Sequence, residues 1–343
     1  MRILLEVHHP AHIHFFKNAV RIWRDRGDDV LMLGRDRDVM AKLLQAYDWI
    51  PHKLLTSAGR NNRIPMVELL QRQAKVGFEA SKFRPDIMLS VMGSYAQTAW
   101  LLRVPNIIFT DSELQSFNHK IAHPFATRIY TPECFWKDLG TKQRKYRGYH
   151  ELAFLHPNRF TPRQEVLQML GGVKEHEYVI IRVSEFNTLH DIGKAGFGDS
   201  FDRFVEETNQ RYRVFLVPEG GKLPAKWEHL RFQIAPDYFH DALAFARFVV
   251  TEGASTASEC ACLGVPSIYV NPTVHGYCED LERRGLMFVY KQPGPALHKM
   301  RELLDHLAPR EHWQQLREQM LSEHIDVTGF VVNEVDELLR RRS

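Results

Sequence analysis

Thr251-Glu252-Gly253-Ala254-Ser255-Thr256-Ala257-Ser258-Glu259 joins two apolar runs, Arg247-Phe248-Val249-Val250 and Cys260-Ala261-Cys262-Leu263-Gly264-Val265-Pro266. The first run reads as a strand and the second as the body of a helix. Ser267-Ile268-Tyr269-Val270 follows as the next strand. A strand that turns through small residues into a helix presents unpaired backbone N–H groups and the positive end of the helix dipole, the ordinary means of holding a phosphate. Glu259, one turn into the helix, is placed to reach the ribose hydroxyls of the same nucleotide. The segment therefore predicts a parallel α/β unit with a nucleotide or nucleotide-sugar site at Gly253, Ser255, Thr256 and Glu259. Thr256-x-x-Glu259 also has the spacing of a capping box. That accounts for the threonine and the glutamate, though not for the density of small residues from 253 to 258.

Working outward, short apolar runs alternate with amphipathic helical stretches, as in parallel α/β proteins. Strands are expected at Arg2–Val7, Val30–Leu33, Asp86–Val91, Asn106–Thr110 and Arg128–Tyr130 in the first half. In the second they are expected at Tyr178–Val183, Arg213–Val217, Arg231–Ile234, Phe248–Val250, Ser267–Val270 and Met287–Tyr290. The stretch from Gly148 to Gly172 carries Pro157 and Pro162 and reads as a linker. With 343 residues there is room for two domains. The expected division is a first Rossmann-like domain over 1–155, a second over 173–326, and a final helix over 327–343 whose apolar face is Val331, Val335, Leu338 and Leu339. Two doubly wound parallel sheets place the ligand in a cleft between them, outside the carboxyl ends of the strands.

Composition narrows the class. Hydrophobic residues at 44% and charged residues at 25% are those of a globular protein, and a net charge of +3 is too small to argue for a nucleic-acid partner. Cys134, Cys260, Cys262 and Cys278 form no C-x-x-C pair and no zinc spacing, as expected of reduced thiols. The opening residues lack the apolar run of a signal peptide and no stretch has membrane-spanning length. The expected location is cytoplasmic, peripheral to the inner face of a membrane if Arg340-Arg341-Arg342 touches anionic lipid. Arginines at a helix end also simply suit solubility and the dipole.

The loop after the first strand, His8-His9-Pro10-Ala11-His12-Ile13-His14, lacks G-x-G-x-x-G, which argues against a nicotinamide or flavin cofactor. Imidazole titrates near neutrality, so His12, at the turn into the helix, is the expected general base, with His9 and His14 touching acceptor or sugar. Packing and capping of the loop, or a metal held by His12 and His14, are the other readings; no metal is assigned. Asp111-Ser112-Glu113 follows the strand Asn106–Thr110, so Asp111 and Glu113 are further acid–base candidates, with helix capping as the alternative. Ser94, in the turn after Asp86–Val91, is a weaker contact to sugar or acceptor. Arg182 and Ser184 follow the first strand of the second half and suit a diphosphate, or belong to a solvated loop whose charges pair among themselves.

Several of these stretches resemble one family. His9-Pro10-Ala11-His12-Ile13-His14-Phe15-Phe16-Lys17-Asn18, Arg84-Pro85-Asp86, Asp111-Ser112-Glu113, Tyr130-Thr131-Pro132-Glu133-Cys134-Phe135 and the run from Gly148 to Pro157 resemble a prokaryotic family known as a domain of unknown function. The resemblance extends to Ile325-Asp326-Val327-Thr328. That family is similar in layout to GT-B glycosyltransferases, including the N-acetylglucosaminyltransferase that completes the lipid-linked peptidoglycan precursor, and to non-hydrolysing UDP-N-acetylglucosamine 2-epimerases. The resemblance implies two Rossmann-like domains, donor nucleotide on the C-terminal one, a last helix crossing back onto the first, an acceptor-activating role for His12 and ribose binding by Glu259. The first loop differs from the transferase's in lacking glycines, and the loop at 182–194 lacks its Gly-Gly-Ser pattern.

The expected activity is transfer of a sugar from a nucleotide-activated donor, a UDP-sugar, to a glycan or lipid-linked acceptor in surface polysaccharide or glycoconjugate synthesis, with no separate cofactor. Two alternatives stay open: a UDP-sugar 2-epimerase-like enzyme, and a catalytically silent nucleotide-sugar-binding protein.

Overall fold

A computed structural model describes residues 1–36, 38–57, 65–183, 196–219 and 223–341. The chain divides into two compact units, one comprising 1–159 with 325–343 and the other 160–324.

In the first unit seven strands form one parallel sheet: β1 (Arg2–Val7), β2 (Asp29–Asp36), β3 (His52–Ser57), β4 (Ile87–Val91), β5 (Asn106–Phe109), β6 (Arg128–Pro132) and β7 (Gln143–Tyr146). Their order, β3-β2-β1-β4-β5-β6-β7, is that of a doubly wound sheet reversing direction between β1 and β4. Alternation along β1 sends Leu4 to one face, where it joins Leu33, Met88 and Tyr95 under the helices Pro65–Phe83 and Ala96–Leu101. The helix Pro10–Asp25 buries Ile13, Phe16, Val20 and Trp23, the stripe its sequence spacing requires.

β3 and β7 were not expected from sequence. Both are sheet edges: β7 is polar and mostly exposed, and β3 offers only Leu54 and Leu55, so neither carries the apolar run of an inner strand. The stretch from Gly148 is more ordered than its prolines suggest. Leu152–Leu155 is a short, fully buried helix, and a second follows at Glu165–Met169.

The helix Val327–Arg340 packs on Pro10–Asp25 within this unit. Val331, Val335 and Leu338 are buried as their spacing predicts, whereas Leu339 is half-buried and Val332 completes the face. Asp326 caps it by accepting from the Thr328 amide at 3.1 Å, and Arg26 grips Asp336 with two hydrogen bonds of 2.8 Å. Arg341 pairs with Glu337 at 2.5 Å; Arg342 lies outside the described residues. Among the described residues no helix is long and apolar enough to cross a membrane.

The second unit has a five-stranded parallel sheet: β8 (Tyr178–Val183), β9 (Arg213–Pro218), β10 (Phe248–Thr251), β11 (Ser267–Val270) and β12 (Met287–Tyr290), in the order β12-β11-β10-β8-β9. Here the winding reverses between β8 and β10. Val179, Ile181, Val214, Leu216, Phe248, Val250 and Ile268 form the sheet's share of the core, facing Phe197, Phe201, Phe204, Met300 and Leu303. Arg231–Ile234 is not a strand. It follows a 3-10 turn at Ala225–Leu230 and makes a single bridge, Arg231 to Leu216, before Pro236 turns the chain away.

Candidate functional site

In the second unit the decisive segment begins at the end of β10, beside the point where the strand order reverses and where open α/β sheets bind ligands. Thr251 is buried, and its hydroxyl accepts the Gly253 amide at 2.9 Å, closing a tight turn. Gly253 is extended (φ −96°, ψ 116°) and occupies the N-cap of the helix Ala254–Leu263 with no side chain to cap it. Its carbonyl takes the Ala257 amide at 3.2 Å. The amides of Ala254, Ser255 and Thr256 meet no acceptor among the described residues, so the first helical turn presents its donors outward. No acidic side chain stands in that turn to satisfy the dipole internally.

The far end of this helix is firmly closed. Gly264 adopts φ +67°, and a Cβ there would fall 2.8 Å from Gln314 Nε2. The Val265 amide returns to the Cys260 carbonyl at 2.9 Å, while Arg317 and Arg310 donate to the carbonyls of Cys262 and Gly264 at 2.7 and 2.6 Å. Cations thus complement the carbonyl end and leave the amide end open.

Thr256 lies inside the helix, not at its N-cap, which rules out the capping-box reading. Its hydroxyl accepts from Arg182 Nη1. Arg182, at the end of β8, also meets Glu219 at 3.3 Å and lies 5.4 Å over the Phe239 ring, and its buried Nε has no partner among the described residues. Glu259 points inward from the next turn and pairs through Oε1 with His240 Nε2 at 3.0 Å; both side chains are buried. Its Oε2 is buried with no donor among the described residues. An ionised carboxylate only accepts hydrogen bonds, so an orphaned oxygen there costs free energy that a ligand hydroxyl recovers. Arg182, Gly253, Ser255, Thr256 and Glu259 therefore converge on one end of one helix. Ser184, with the rest of 184–195, lies outside the described residues.

His240 was missed in the sequence. It is held by a 3-10 turn at Pro236–Tyr238 leading into Phe239–Ala244, and its neighbour Asp241, fully buried, takes the Arg163 amide at 2.6 Å and its guanidinium at 2.8 Å. The available signal was the pairing of a histidine and an aspartate in a stretch otherwise bound for the core.

In the first unit the corresponding reversal is flanked by the turns after β1 and β4. His9 is the N-cap of Pro10–Asp25: its Nδ1 accepts the Ala11 amide at 3.2 Å, and Pro10 occupies the first helical position. Capping thus explains His9. His12 is buried, with its ring 4.3 Å from that of His8. Burial, then the charges of His8, His9 and His150, holds its pKa well below the ordinary imidazole value. His14 lies two residues on and faces the other way, its ring 6.0 Å from Tyr47 and 5.3 Å from Phe154. An H-x-H metal pair is incompatible with that geometry, since helical residues two apart are about 200° apart around the axis.

Asp111 Oδ2 meets His150 Nδ1 at 3.1 Å. The next helix, Ser116–Ala122, has Gln115 at its N-cap, so neither Asp111 nor Ser112 caps it. Glu113 is buried, and its carbonyl accepts from Lys137 at 3.2 Å. Ser94 follows Met92 and Gly93, both with positive φ (77° and 82°), and its carbonyl accepts from Gln73. The first unit thus gathers His8, His9, His12 and His150–Asp111 near the carboxyl edge of its sheet. It buries Glu113 and sends His14 to the packing face.

Two doubly wound parallel α/β units of this kind are the GT-B architecture. Over 99% of this chain and 97% of the other, the fold is similar to UDP-N-acetylglucosamine 2-epimerase from Rickettsia bellii, with a TM-score of 0.72 and 13% identity. It is likewise similar to the spinosyn forosaminyltransferase SpnP, covering 99% of each chain with a TM-score of 0.64 and 13% identity. In sequence, 254 residues are 26% identical to the UDP-N-acetylglucosamine–N-acetylmuramyl-(pentapeptide) pyrophosphoryl-undecaprenol N-acetylglucosamine transferase of Streptococcus pyogenes, covering 68% of either chain. The chain belongs to the family described as Protein of unknown function (DUF354), whose model matches residues 1–281.

Proposed function

We propose that this protein is a glycosyltransferase that takes a sugar from a nucleoside diphosphate, a UDP-sugar, and passes it to a hydroxyl of a glycan or lipid-linked acceptor. The observation that carries this reading is the open amide turn at 254–256, with Arg182 beside it and the buried, half-satisfied carboxylate of Glu259 one turn on. These three features match two parts of such a ligand: amides and guanidinium for the diphosphate, the carboxylate for the pentose hydroxyls. The relative in Streptococcus pyogenes, named for its UDP-N-acetylglucosamine donor, supports the same class.

In this reading the acceptor oxygen attacks the anomeric carbon while the bond to the diphosphate breaks with its electron pair. The charge arriving on the diphosphate is met by the amides of 254–256 and by Arg182, and Glu259 holds the ribose. Donors of this kind are typically worth about 3 kcal/mol each in the transition state. The imidazole and carboxylate groups of the first unit supply the proton acceptor, with no cofactor beyond the donor itself. The reading places the reaction in surface-polymer or glycoconjugate synthesis at the cytoplasmic side. Contact of Arg340 and Arg341 with anionic lipid is tested by sedimentation with anionic vesicles at two salt concentrations.

The test of donor class is a thermal-shift screen against UDP, GDP, CMP, dTDP and their sugar conjugates. A ligand bound at one hundred times its Kd stabilises by about 2.7 kcal/mol. UDP and a UDP-sugar should raise the melting temperature. A flat response to the whole set would remove the reading.

A further inference from the structure

One buried charge in the first unit is left unexplained by packing. Glu6 stands in the central strand β1, paired in register with Leu33 of β2 and Ser90 of β4, and is 1% exposed. A carboxylate there is costly unless it is paired. Its partner is His8, two residues on and just past the carboxyl end of β1: Nδ1 lies 2.9 Å from Glu6 Oε1. Glu6 Oε2 has no partner among the described residues. The Tyr95 phenol, which accepts from Arg72 Nε at 3.2 Å, is pushed up to about 12 by burial first and by Glu6 second.

The pair is asymmetric. The Glu6 side chain is 2% exposed and that of His8 24%. An ionised carboxylate can only accept, so Nδ1 carries the proton in this hydrogen bond and Nε2 is left with its lone pair. That nitrogen has no partner among the described residues, and it lies past the carboxyl end of β1, beside the reversal of strand order. His12, by contrast, is buried, with Nδ1 facing the His8 amide at 3.5 Å.

We propose that His8, oriented by Glu6, is the group that takes the acceptor's proton, in the place the sequence assigns to His12; this rests on the glycosyl-transfer reading above. The acceptor O–H gives its proton to His8 Nε2 as its oxygen bonds to the anomeric carbon, and the carbon–oxygen bond to the diphosphate breaks with its electron pair. The products are the glycoside, the nucleoside diphosphate and an imidazolium, which Glu6 stabilises until the proton passes to solvent from the exposed edge of the ring. Glu6 is a positioning residue.

Two readouts on the full chain separate this inference from the reading beneath it. The first needs no turnover: carbethoxylation of each histidine by diethyl pyrocarbonate, followed by mass spectrometry. His8 should react at least tenfold faster than His12, and Glu6→Gln should slow His8 at least threefold while leaving His9 unchanged. Equal rates at His8 and His12, or indifference to Glu6→Gln, overturn the pair. The second is release of UDP from UDP-N-acetylglucosamine with water as acceptor. His8→Gln, which leaves the buried carboxylate in place, should lower kcat about a hundredfold or more, with KM for the donor within threefold. That loss should exceed the loss in His12→Gln by at least ten times. Full kcat in His8→Gln overturns the proposal. A wild-type chain that neither binds UDP nor releases it contradicts the glycosyl-transfer reading, and the modification rates then decide the pair by themselves.

Discussion

His240 and Glu259 meet side chain to side chain inside the second unit, Nε2 to Oε1 at 3.0 Å, their side chains only 2% and 7% exposed. The contact fixes one carboxylate oxygen and leaves the other, Oε2, without a partner among the described residues. A carboxylate oriented in this way, close behind an open helix terminus, is preorganised to accept from a diol.

Glu259→Gln keeps the shape and removes the charge. A hydrogen bond to a charged group is worth roughly 1.5–3 kcal/mol, so UDP should bind about ten- to a hundredfold more weakly by calorimetry. His240→Ala should weaken it less, because it frees the carboxylate without removing it. Equal affinity of Glu259→Gln and wild type would take Glu259 out of the site.

Gly93 adopts φ +82°, and a Cβ there would lie 2.4 Å from Ile108 Cδ1. Both the backbone conformation and the lack of room oppose a side chain. Gly93→Ala should cost roughly 1–3 kcal/mol in chemical denaturation, read on the first unit. A loss under half of that would mean that Ile108 and the turn yield easily.

Among the described residues, His12, His119 and His123 in the first unit and His176 and His324 in the second are held below the ordinary value of 6.5, burial being the largest cause for each. For His123 the value falls to about 4. Below pH 6.5 the unfolded chain takes up protons that the folded chain refuses. Stability is therefore complete above about pH 6.5 and declines as the pH is lowered toward 4, by up to about 1.4 kcal/mol per pH unit for each group. Urea unfolding at pH 7.5 and 5 should show this loss. His123→Phe, which retains an aromatic ring against His119, should make the slope shallower. An unchanged slope would show that His123 titrates alike in both states.

The inner strands and the glycine-to-helix turn were legible because apolar runs and small residues are local signals. β3 and β7 were not, since an edge strand needs little apolar surface, and Arg231–Ile234 misled because four residues with strand character found only one bridge. At the site, the residues on the turn itself were visible: Gly253, Ser255, Thr256 and Glu259. Their partners were hidden. His240 reaches Glu259 from nineteen residues away, a contact that only the winding of the sheet creates. The free amides are those of 254–256, because Gly253 is the cap. Glu6 carried a usable signal, a lone acid inside Ile3-Leu4-Leu5-Glu6-Val7. His12 drew attention by position, and the structure adds that it is buried, with its pKa held well below the ordinary imidazole value.

The most direct test removes one amide and nothing else. Proline is favoured at the first position of a helix, and Gly253 ahead of Ala254 already has the extended conformation that a following proline requires. Ala254→Pro should therefore fold with an unchanged melting temperature in the absence of ligand. Isothermal titration with UDP should give saturable binding to the wild-type chain and at least tenfold weaker binding to Ala254→Pro. Undiminished affinity in that variant, or no binding of UDP to the wild-type protein, would contradict the assignment of the diphosphate to this turn.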